Sequence, residues 1–397
     1  MKHPRLLPVL ILAASCSLAT LADAQRKPRP GLTVGPAQPS NLSLKQEVQH
    51  AITKGLHWLE KQQGAEGLWG QEEYPALTAM ALSAILNDPA RDPAAKLPAN
   101  VDKGFGFLLT KVQSDGGIYG KGLASYNTSI SMMAFMQAGR TEYDPVIKKA
   151  RRFLINQQSD FDARGKADNP FDGGIGYGSR WAHSDLSNTY IALEALHYAD
   201  KYLKRDTETE VTLDLDWEMA IAFIERCQNR PESNSEKWAD GSKENLGGFI
   251  YFPGSSMAGE QKLPNGKTAL RSYGSMSYAG LLSFIYAKME PTDPRVAAAR
   301  QWLAQNYTLD ENPGLGAQGK FYYYHTMAKA LTILGEDTLE LPNGTQVPWR
   351  EQLAKRLFDL QDSKGFWVNE NGRWWEKDPV LVTCYALLTL ERLYHTL

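Results

Sequence analysis

The sequence has little cysteine, little net charge and, beyond its first residues, no long apolar run. Only 3 cysteines occur in 397 residues, which excludes a disulfide-stabilised scaffold. The 43 Lys and Arg residues nearly balance the 45 Asp and Glu residues, and no segment provides the basic face that nucleic acid requires. With 43% hydrophobic and 10% aromatic residues, the chain can bury a large core in one large domain or two ordinary ones.

The N-terminus has the pattern of a secretory signal peptide. Lys2 and Arg5 precede an apolar run, and the Ala-Asp-Ala sequence at 22–24 provides a cleavage site of small residues. A second interpretation takes the Ala-Ala-Ser-Cys sequence at 13–16 as a lipoprotein site, with Cys16 as the lipidated residue. Both interpretations predict an exported protein, periplasmic or secreted, without a stable transmembrane segment in the mature chain.

This leader divides the chain into three parts. Residues 1–24 are predicted to be the signal peptide, residues 25–40 a flexible Pro- and Gly-rich lead-in, and residues 41–397 the folded domain. In the mature chain only Cys227 and Cys384 remain, each within an apolar-periodic segment. We expect two buried thiols there.

Helical hairpins recur along the folded part. Six apolar helices each carry a hydroxyl residue near their start: Thr78, Thr128, Thr189, Ser277, Thr326 and Thr383. Their spacing is about 55 residues with one long insertion, which indicates a repeat. More amphipathic helices precede them, at 51–62, 101–112, 146–157, 217–227, 296–305 and 349–361. The apolar helices should form an inner ring and the amphipathic helices an outer ring.

A turn of recurring composition joins the two helices of each hairpin. A glutamine precedes a glycine and an aromatic residue, as in Gln63 before the Gly-Leu-Trp sequence at 67–69 and Gln361 before Gly-Phe-Trp at 365–367. Glutamine can bond the unpaired groups at helix ends, glycine permits a tight reversal, and the ring covers the joint. The turn is therefore interpreted as structural.

With these turns the sequence resembles the Gln-Trp repeat proteins, which comprise squalene and oxidosqualene cyclases, other class II terpene cyclases and the β subunits of protein prenyltransferases. The resemblance covers about residues 45–395. It implies an all-α fold, an α/α toroid of about six helical hairpins with a central cavity open at one end. One fold serves many functions, so the function depends on the catalytic motifs and not on the fold.

The catalytic motifs of these families are incomplete here. The nearest string to the cyclases' Asp-x-Asp-Asp acid motif is Asp-Leu-Asp-Trp at 214–217, where Asp216 suits a helix N-cap. In the prenyltransferase zinc site, His325 would match a ligand, but Tyr273 and Ser275 stand where Asp and Cys belong. This donor set is poor for zinc, so we expect neither a metal nor another cofactor.

Polar and aromatic residues gather near the starts of the inner helices, which face the expected cavity. Asp185 and His325 are the candidate catalytic residues. The candidate ligand-binding residues are Tyr126, His183, Arg271, Tyr273, Tyr323, Tyr324, Lys329, Trp374, Trp375 and Glu376. Such walls suit a hydrophobic ligand with a polar end, or a sugar. The alternative for each residue is core packing, with Asp185, Glu376 and Arg271 paired to one another.

The insertion at residues 229–272 is much longer than an ordinary connection between packed helices. Such connections often act as lids or binding loops, and disorder is the alternative. The Pro-Asn-Gly sequence at 264–266 predicts a hairpin turn within it.

Three functional classes remain open. The resemblance favours a squalene cyclase/prenyltransferase-like protein that binds or transforms an isoprenoid-like hydrophobic ligand, using Asp185 and His325. A noncatalytic protein that binds a ligand or partner in the cell envelope is the second class. The third is a polysaccharide-cleaving enzyme on a helical barrel, for which Asp185 and Glu376 would supply the two required carboxylates. Nucleic acid is not an expected partner of any of them.

Overall fold

The computed structural model describes residues 41–92, 94–178, 183–203, 214–263 and 266–397. The predicted signal peptide, Cys16 and the lead-in at 25–40 lie outside the described residues and stay predictions. Within the described ranges, no helix is long and apolar enough to cross a membrane.

Twelve α-helices in the described ranges form six hairpins. The first helices of the hairpins are α1 (Leu42–Glu60), α3 (Ala99–Thr110), α5 (Asp144–Ile155), α7 (Trp217–Arg226), α9 (Pro294–Gln305) and α11 (Trp349–Asp359). The second helices are α2 (Pro75–Asn87), α4 (Ala124–Ala138), α6 (Leu186–Leu203), α8 (Gly274–Tyr286), α10 (Lys320–Ile333) and α12 (Pro379–Tyr394). The expected start of the first helix at residue 51 is wrong, because the Asn41 side chain caps α1 by accepting from the Leu44 amide at 3.2 Å.

The second helices form a closed inner ring. Each packs against the next, from α2 to α4, α6, α8, α10 and α12, and α12 packs against α2. Outside them, α1 lies against α12, so the first and last hairpins also meet. The inner helix α2 is buried along nearly its whole length, whereas the outer helix α5 keeps one polar face exposed. These contacts confirm the predicted α/α toroid of six hairpins.

In four of the repeated turns, the glutamine ties one hairpin to the next. The Gln63 side-chain amide donates to the carbonyl of Gly67 in its own turn and to that of Asn100 in the next outer helix, both at 2.8 Å. Gln158, Gln228 and Gln361 make the same pair of bonds. For Gln361 the second acceptor is the Ala51 carbonyl of α1, at 3.0 Å, so this bond closes the ring.

The first glycine of the turn is required by the close approach of the next outer helix. Gly173 has a φ of +84°, and a Cβ added there would lie 1.9 Å from the Met219 carbonyl oxygen. The hydroxyl residue holds the same turn from the inner side. Thr189 accepts from the Ile175 amide at 2.9 Å, and Thr78, Thr128, Ser277 and Thr383 make the equivalent bond. Thr326 instead donates to carbonyls of its own helix.

The insertion packs as a structured loop beside the ring. Its ends are joined where the Asn229 side-chain amide donates to the Leu270 carbonyl at 2.8 Å and to Ser272 Oγ at 2.9 Å. Within it, β1 (Glu260–Lys262) pairs antiparallel with β2 (Thr268–Leu270), which confirms the hairpin, although residues 264 and 265 lie outside the described part. A second antiparallel pair, β3 (Leu339–Glu340) and β4 (Gln346–Val347), precedes α11.

Candidate functional site

A cavity of about 880 Å³ lies where the N-terminal ends of the six inner helices converge. Each inner helix contributes residues from its cap or its first two turns, such as Met80 from α2 and Leu381 from α12. Tyr251 and Met257 of the insertion complete the wall. The toroid therefore carries its aromatic cavity at one end of the ring.

Aromatic side chains dominate the lining. They are Tyr74, Tyr126, Tyr177, Tyr251, Tyr273, Tyr322, Trp374, Trp375 and Tyr385. Several hydroxyls meet one another, with 3.3 Å between Tyr251 and Tyr177 and 3.5 Å between Tyr126 and Tyr385. Burial raises the pKa of Tyr126 and of Tyr385, so these phenols are neutral at pH 7. The aromatic part of the cavity surface is therefore uncharged and carries a few hydroxyl groups.

The helix ends around the cavity are already hydrogen-bonded by protein groups. The Asn127 side-chain oxygen accepts from the Ala76 amide of α2 at 3.1 Å, and Asn312 accepts from the Ser275 amide of α8 at 2.9 Å. Both asparagines lie outside the helix that they cap. Because these amides have partners, the N-termini of α2 and α8 do not offer them to an anionic ligand.

Glu376 lines the cavity, but its oxygens bond the start of α10. They accept from the Tyr322 amide at 2.8 Å, the Phe321 amide at 3.3 Å and the Asn369 side chain at 2.6 Å. Burial raises the pKa of Glu376, and the hydrogen bond from Asn369 opposes that shift. This carboxylate is thus a helix cap from a neighbouring segment.

Asp185 lies behind the cavity wall and caps α6. Its two oxygens accept from the Asn188 amide at 2.9 Å and from the Asn188 side chain at 2.7 Å. Complete burial raises the pKa of Asp185 to about 6, against the lowering effect of these hydrogen bonds. Its charge contributes to raising the pKa of Tyr177 and Tyr251, which places the carboxyl close to the lining tyrosines.

Two other candidate residues lie away from the cavity lining. The His183 ring packs against Phe171 and Phe252, with ring centroids 6.0 and 4.6 Å away. Arg271 lines a second cavity of about 520 Å³ between the insertion and α9. Asp185, Glu376 and Arg271 do not pair with one another.

Tyr323 and Tyr324 face outward from the ring. Their hydroxyls donate to the carbonyls of Thr308 and Leu309, in the loop after α9. Successive residues of a helix are turned by about 100°, so Tyr322 faces the cavity and the two tyrosines after it do not.

His325 and Lys329 lie deeper in the lumen of the ring. Lys329 Nζ is 2.7 Å from Glu194 Oε2 and 2.9 Å from the Tyr190 hydroxyl, and Tyr286 donates to the other Glu194 oxygen at 3.0 Å. Because α8 stands between α6 and α10 in the ring, this ion pair crosses the lumen. His325 lies against the far side of Tyr385, with ring centroids 5.6 Å apart.

Of the candidate ligand-binding residues, the structure brings Tyr126, Tyr273, Trp374, Trp375 and Glu376 together at the cavity. Sequence reasoning missed Tyr177, Tyr251 and Tyr385. Tyr177 and Tyr251 each follow the Gly-Gly pair of a repeated turn, to which the sequence pattern assigns only a structural role. Their shared position in the repeat is the sequence feature that could have identified them as lining residues.

The described residues contain no group of three or more His, Cys, Asp or Glu side chains placed to hold a metal ion. Three residues stand at the positions of the prenyltransferase zinc ligands. Of these, Tyr273 and Ser275 line the cavity and His325 does not. Cys227 and Cys384 are buried and unbonded, as expected from the sequence.

Comparisons with solved structures show the fold. A variant of the type II terpene cyclase MstE from Scytonema, in complex with geranylgeranyl dihydroxybenzoate, is similar over 90% of this chain and 100% of that chain, with 9% identity and a TM-score of 0.53. The alpha-1,6-mannanase GH76A from Salegentibacter is similar over 88% of this chain and 100% of that chain, with 11% identity and a TM-score of 0.55. No family profile and no curated protein matches the chain. The terpenoid cyclase-like toroid is confirmed as a fold.

Proposed function

We propose that this chain is an exported protein that binds an isoprenoid-like hydrophobic molecule in the aromatic cavity. The observation that carries the proposal is the lining of nine aromatic side chains around about 880 Å³. Apolar faces with a few hydroxyls favour a branched hydrocarbon chain that ends in a polar group. The volume lies in the usual range for sites that enclose small organic molecules.

The carboxylates support binding rather than proton-initiated cyclisation. A cyclising acid must give its proton to an alkene, and it therefore needs a free carboxylic acid at the wall. Glu376 is engaged as a cap of α10, and Asp378 caps α12 by accepting from the Val380 amide at 2.8 Å. Asp185 lies behind the wall. We infer that the ligand is held without the cyclase reaction.

The same observations disfavour polysaccharide cleavage. That reaction uses two carboxyl groups on opposite sides of the scissile bond. Among the described residues that line the cavity, the only carboxylates are Glu376 and Asp378, which come from one short segment. A mannanase with this fold was solved with alpha-1,6-mannotriose, so this sugar is the comparison ligand in the test.

The test measures binding of geranylgeraniol and squalene to the purified chain. Thermal shift and quenching of tryptophan fluorescence are the two readouts. We expect saturable binding of an isoprenoid and none of mannotriose. Trp375 is 51% exposed at the rim, so Trp375→Ala should weaken binding by about tenfold without unfolding the protein. Leu109→Ala removes an exposed apolar side chain from an outer helix and is the matched control. Saturable mannotriose binding, or equal effects of both variants, would overturn the proposal.

A further inference from the structure

Two phenol hydroxyls meet on the wall of the aromatic cavity. Tyr177 and Tyr251 both line the cavity, and their hydroxyl oxygens lie 3.3 Å apart. Neither residue belongs to a helix, but the backbone of each is anchored to an inner helix. The Tyr177 carbonyl accepts from the Ser125 amide of α4 at 3.2 Å. The Tyr251 carbonyl likewise accepts from the Leu186 amide of α6 at 2.9 Å. The tyrosine pair is therefore held in place before any ligand binds.

The tyrosine pair has hydrogen-bonding capacity that the protein does not use. A bond between two hydroxyl groups consumes one of their two protons, whichever oxygen donates. The Asn188 side chain also lies beside the Tyr177 hydroxyl and lowers its pKa, as a donor does, so it does not take the remaining proton. Among the described residues, no other group bonds either hydroxyl. One O–H donor and an oxygen lone pair therefore remain for a ligand, and a ligand hydroxyl, which donates and accepts, matches both.

A buried carboxylate lies behind this pair. Burial, followed by the charge of Asp185, raises the pKa of Tyr177 and of Tyr251. The cavity also contains the hydroxyls of Ser187 and Tyr322, whose oxygens are 3.3 Å apart. At Tyr322 the effect of Asp185 on the pKa is smaller than those of Ser187 and two other tyrosines. The carboxylate therefore acts mainly on the tyrosine pair, where it opposes an anionic group on the cavity side.

The charged side chains of the cavity also disfavour an anionic ligand. Among the described lining residues, the carboxylates of Glu376 and Asp378 outnumber the single ammonium, that of Lys377. A diphosphate is usually held by several lysine or arginine side chains or by the amides of helix N-termini. Here Asp185, Glu376 and Asp378 already accept from amides at the starts of α6, α10 and α12. These three helix starts therefore present negative side chains to a ligand.

We propose that Tyr177 and Tyr251 bind the polar end of the cavity ligand, and that this end is an uncharged hydroxyl group. The ligand class is then an isoprenoid alcohol. A diphosphate or a carboxylate at the same place would meet the charge of Asp185 behind the pair. The inference rests on the proposed function, because it assigns one part of the same ligand to one part of the same cavity.

The first comparison uses two probes with the same hydrocarbon chain, geranylgeraniol and geranylgeranyl diphosphate, on the purified full-length protein. Quenching of tryptophan fluorescence measures both dissociation constants, with and without Mg²⁺, since Trp374 and Trp375 line the cavity. We expect the alcohol to bind at least about tenfold more tightly than the diphosphate, because only the diphosphate brings negative charge to the carboxylates.

The second comparison removes single hydroxyls. In Tyr251→Phe and Tyr177→Phe the ligand hydroxyl loses a hydrogen-bond partner, so geranylgeraniol should bind about fivefold more weakly. A hydrocarbon of the same chain length without the hydroxyl should bind these variants as it binds the unmodified protein. Tyr307→Phe is the matched control, since the Tyr307 hydroxyl bonds Gln352 outside the cavity at 3.0 Å. Tyr322→Phe removes a lining hydroxyl of another pair and should have a smaller effect.

The inference is overturned if the diphosphate binds as tightly as the alcohol. It is also overturned if Tyr251→Phe and Tyr177→Phe weaken binding of the alcohol no more than Tyr322→Phe or Tyr307→Phe does. In both cases geranylgeraniol still binds, and the proposed function stands. If neither the alcohol, the diphosphate nor the hydrocarbon binds, the proposed function is wrong and this inference falls with it.

Discussion

Removing Lys329 should destabilise the protein strongly, because its partner then loses its counter-charge inside the ring. The Lys329 and Glu194 side chains are 8% and 2% exposed, and the atoms of the pair are 2.7 Å apart. In Lys329→Met a methionine of similar length fills the space, but the Glu194 carboxylate keeps only Tyr286 as a donor. Breaking a buried pair in this way costs about 3–5 kcal/mol of the free energy of unfolding.

The double variant separates the ion pair from simple packing. When Lys329→Met is combined with Glu194→Gln, no unpaired carboxylate remains, and the new amide oxygen can still accept from Tyr286. Replacing both charges of a buried pair is often close to neutral. We therefore expect the double variant to be more stable than Lys329→Met alone, with a coupling energy of about 2–3 kcal/mol.

Urea denaturation at pH 7, followed by far-UV circular dichroism, measures these differences. The matched control is Lys355→Met, which removes the exposed pair between Lys355 and Glu351 on α11 and should not change the unfolding midpoint measurably. Additive effects of the two lumen substitutions, or a loss below about 1 kcal/mol in Lys329→Met, would refute the ion pair across the lumen.

Four other substitutions, one of them a control, test the repeat and the cap of α6. Gly173→Ala forces a Cβ against a backbone carbonyl and should lower the free energy of unfolding by about 3 kcal/mol or more. The control is Gly106→Ala in α3, where a Cβ meets nothing within 4 Å and should raise the free energy of unfolding by about 0.5–1 kcal/mol. Urea unfolding measures both differences. Gln361→Met removes both hydrogen bonds of the closing turn and should lower the free energy of unfolding by about 2 kcal/mol. It should also speed amide hydrogen exchange in α1. Unchanged exchange would argue against ring closure by this residue. Because the pKa of Asp185 is raised to about 6, its contribution to stability is present below about pH 4 and lost as the pH rises through 6. Relative to Asp185→Asn, the unmodified chain should lose up to about 3 kcal/mol between pH 4 and 7, and parallel pH profiles would contradict this cause.

The fold could be predicted because its determinants are local and repeated. Gln63 and Gln361 stand at the same place in their turns and make the same two bonds, although they lie at opposite ends of the sequence. A signal that recurs in each hairpin is averaged over all of them, so one looser turn does not hide it. The hydrogen bonds vary more than the sequence pattern does, since the Gln113 amide bonds the carbonyls of Lys111 and Tyr119 instead.

The cavity lining was harder to predict because it depends on the direction of single side chains. Tyr322, Tyr323 and Tyr324 are adjacent and chemically identical, yet only Tyr322 reaches the cavity. A sequence locates the start of a helix only within a few residues. An error of one residue rotates the predicted cavity-facing side of the helix by about 100°, so the wrong side chains are assigned to the lining. Asp185 and Glu376 were correctly placed near helix starts, but the sequence could not show that neighbouring amides occupy their oxygens.

Tyr385 lies between two levels of the lumen, with the aromatic cavity above it and the side chains of His325, Lys329 and Glu194 below. Its hydroxyl meets that of Tyr126 at the base of the cavity, and its ring covers His325 below. Below it, the pair of Lys329 and Glu194 is fixed by bonds from three helices, which makes the lower level resistant to rearrangement. In the proposed function, a ligand in the cavity meets mainly aromatic and apolar side chains, and Tyr385 limits how deeply it can reach into the ring.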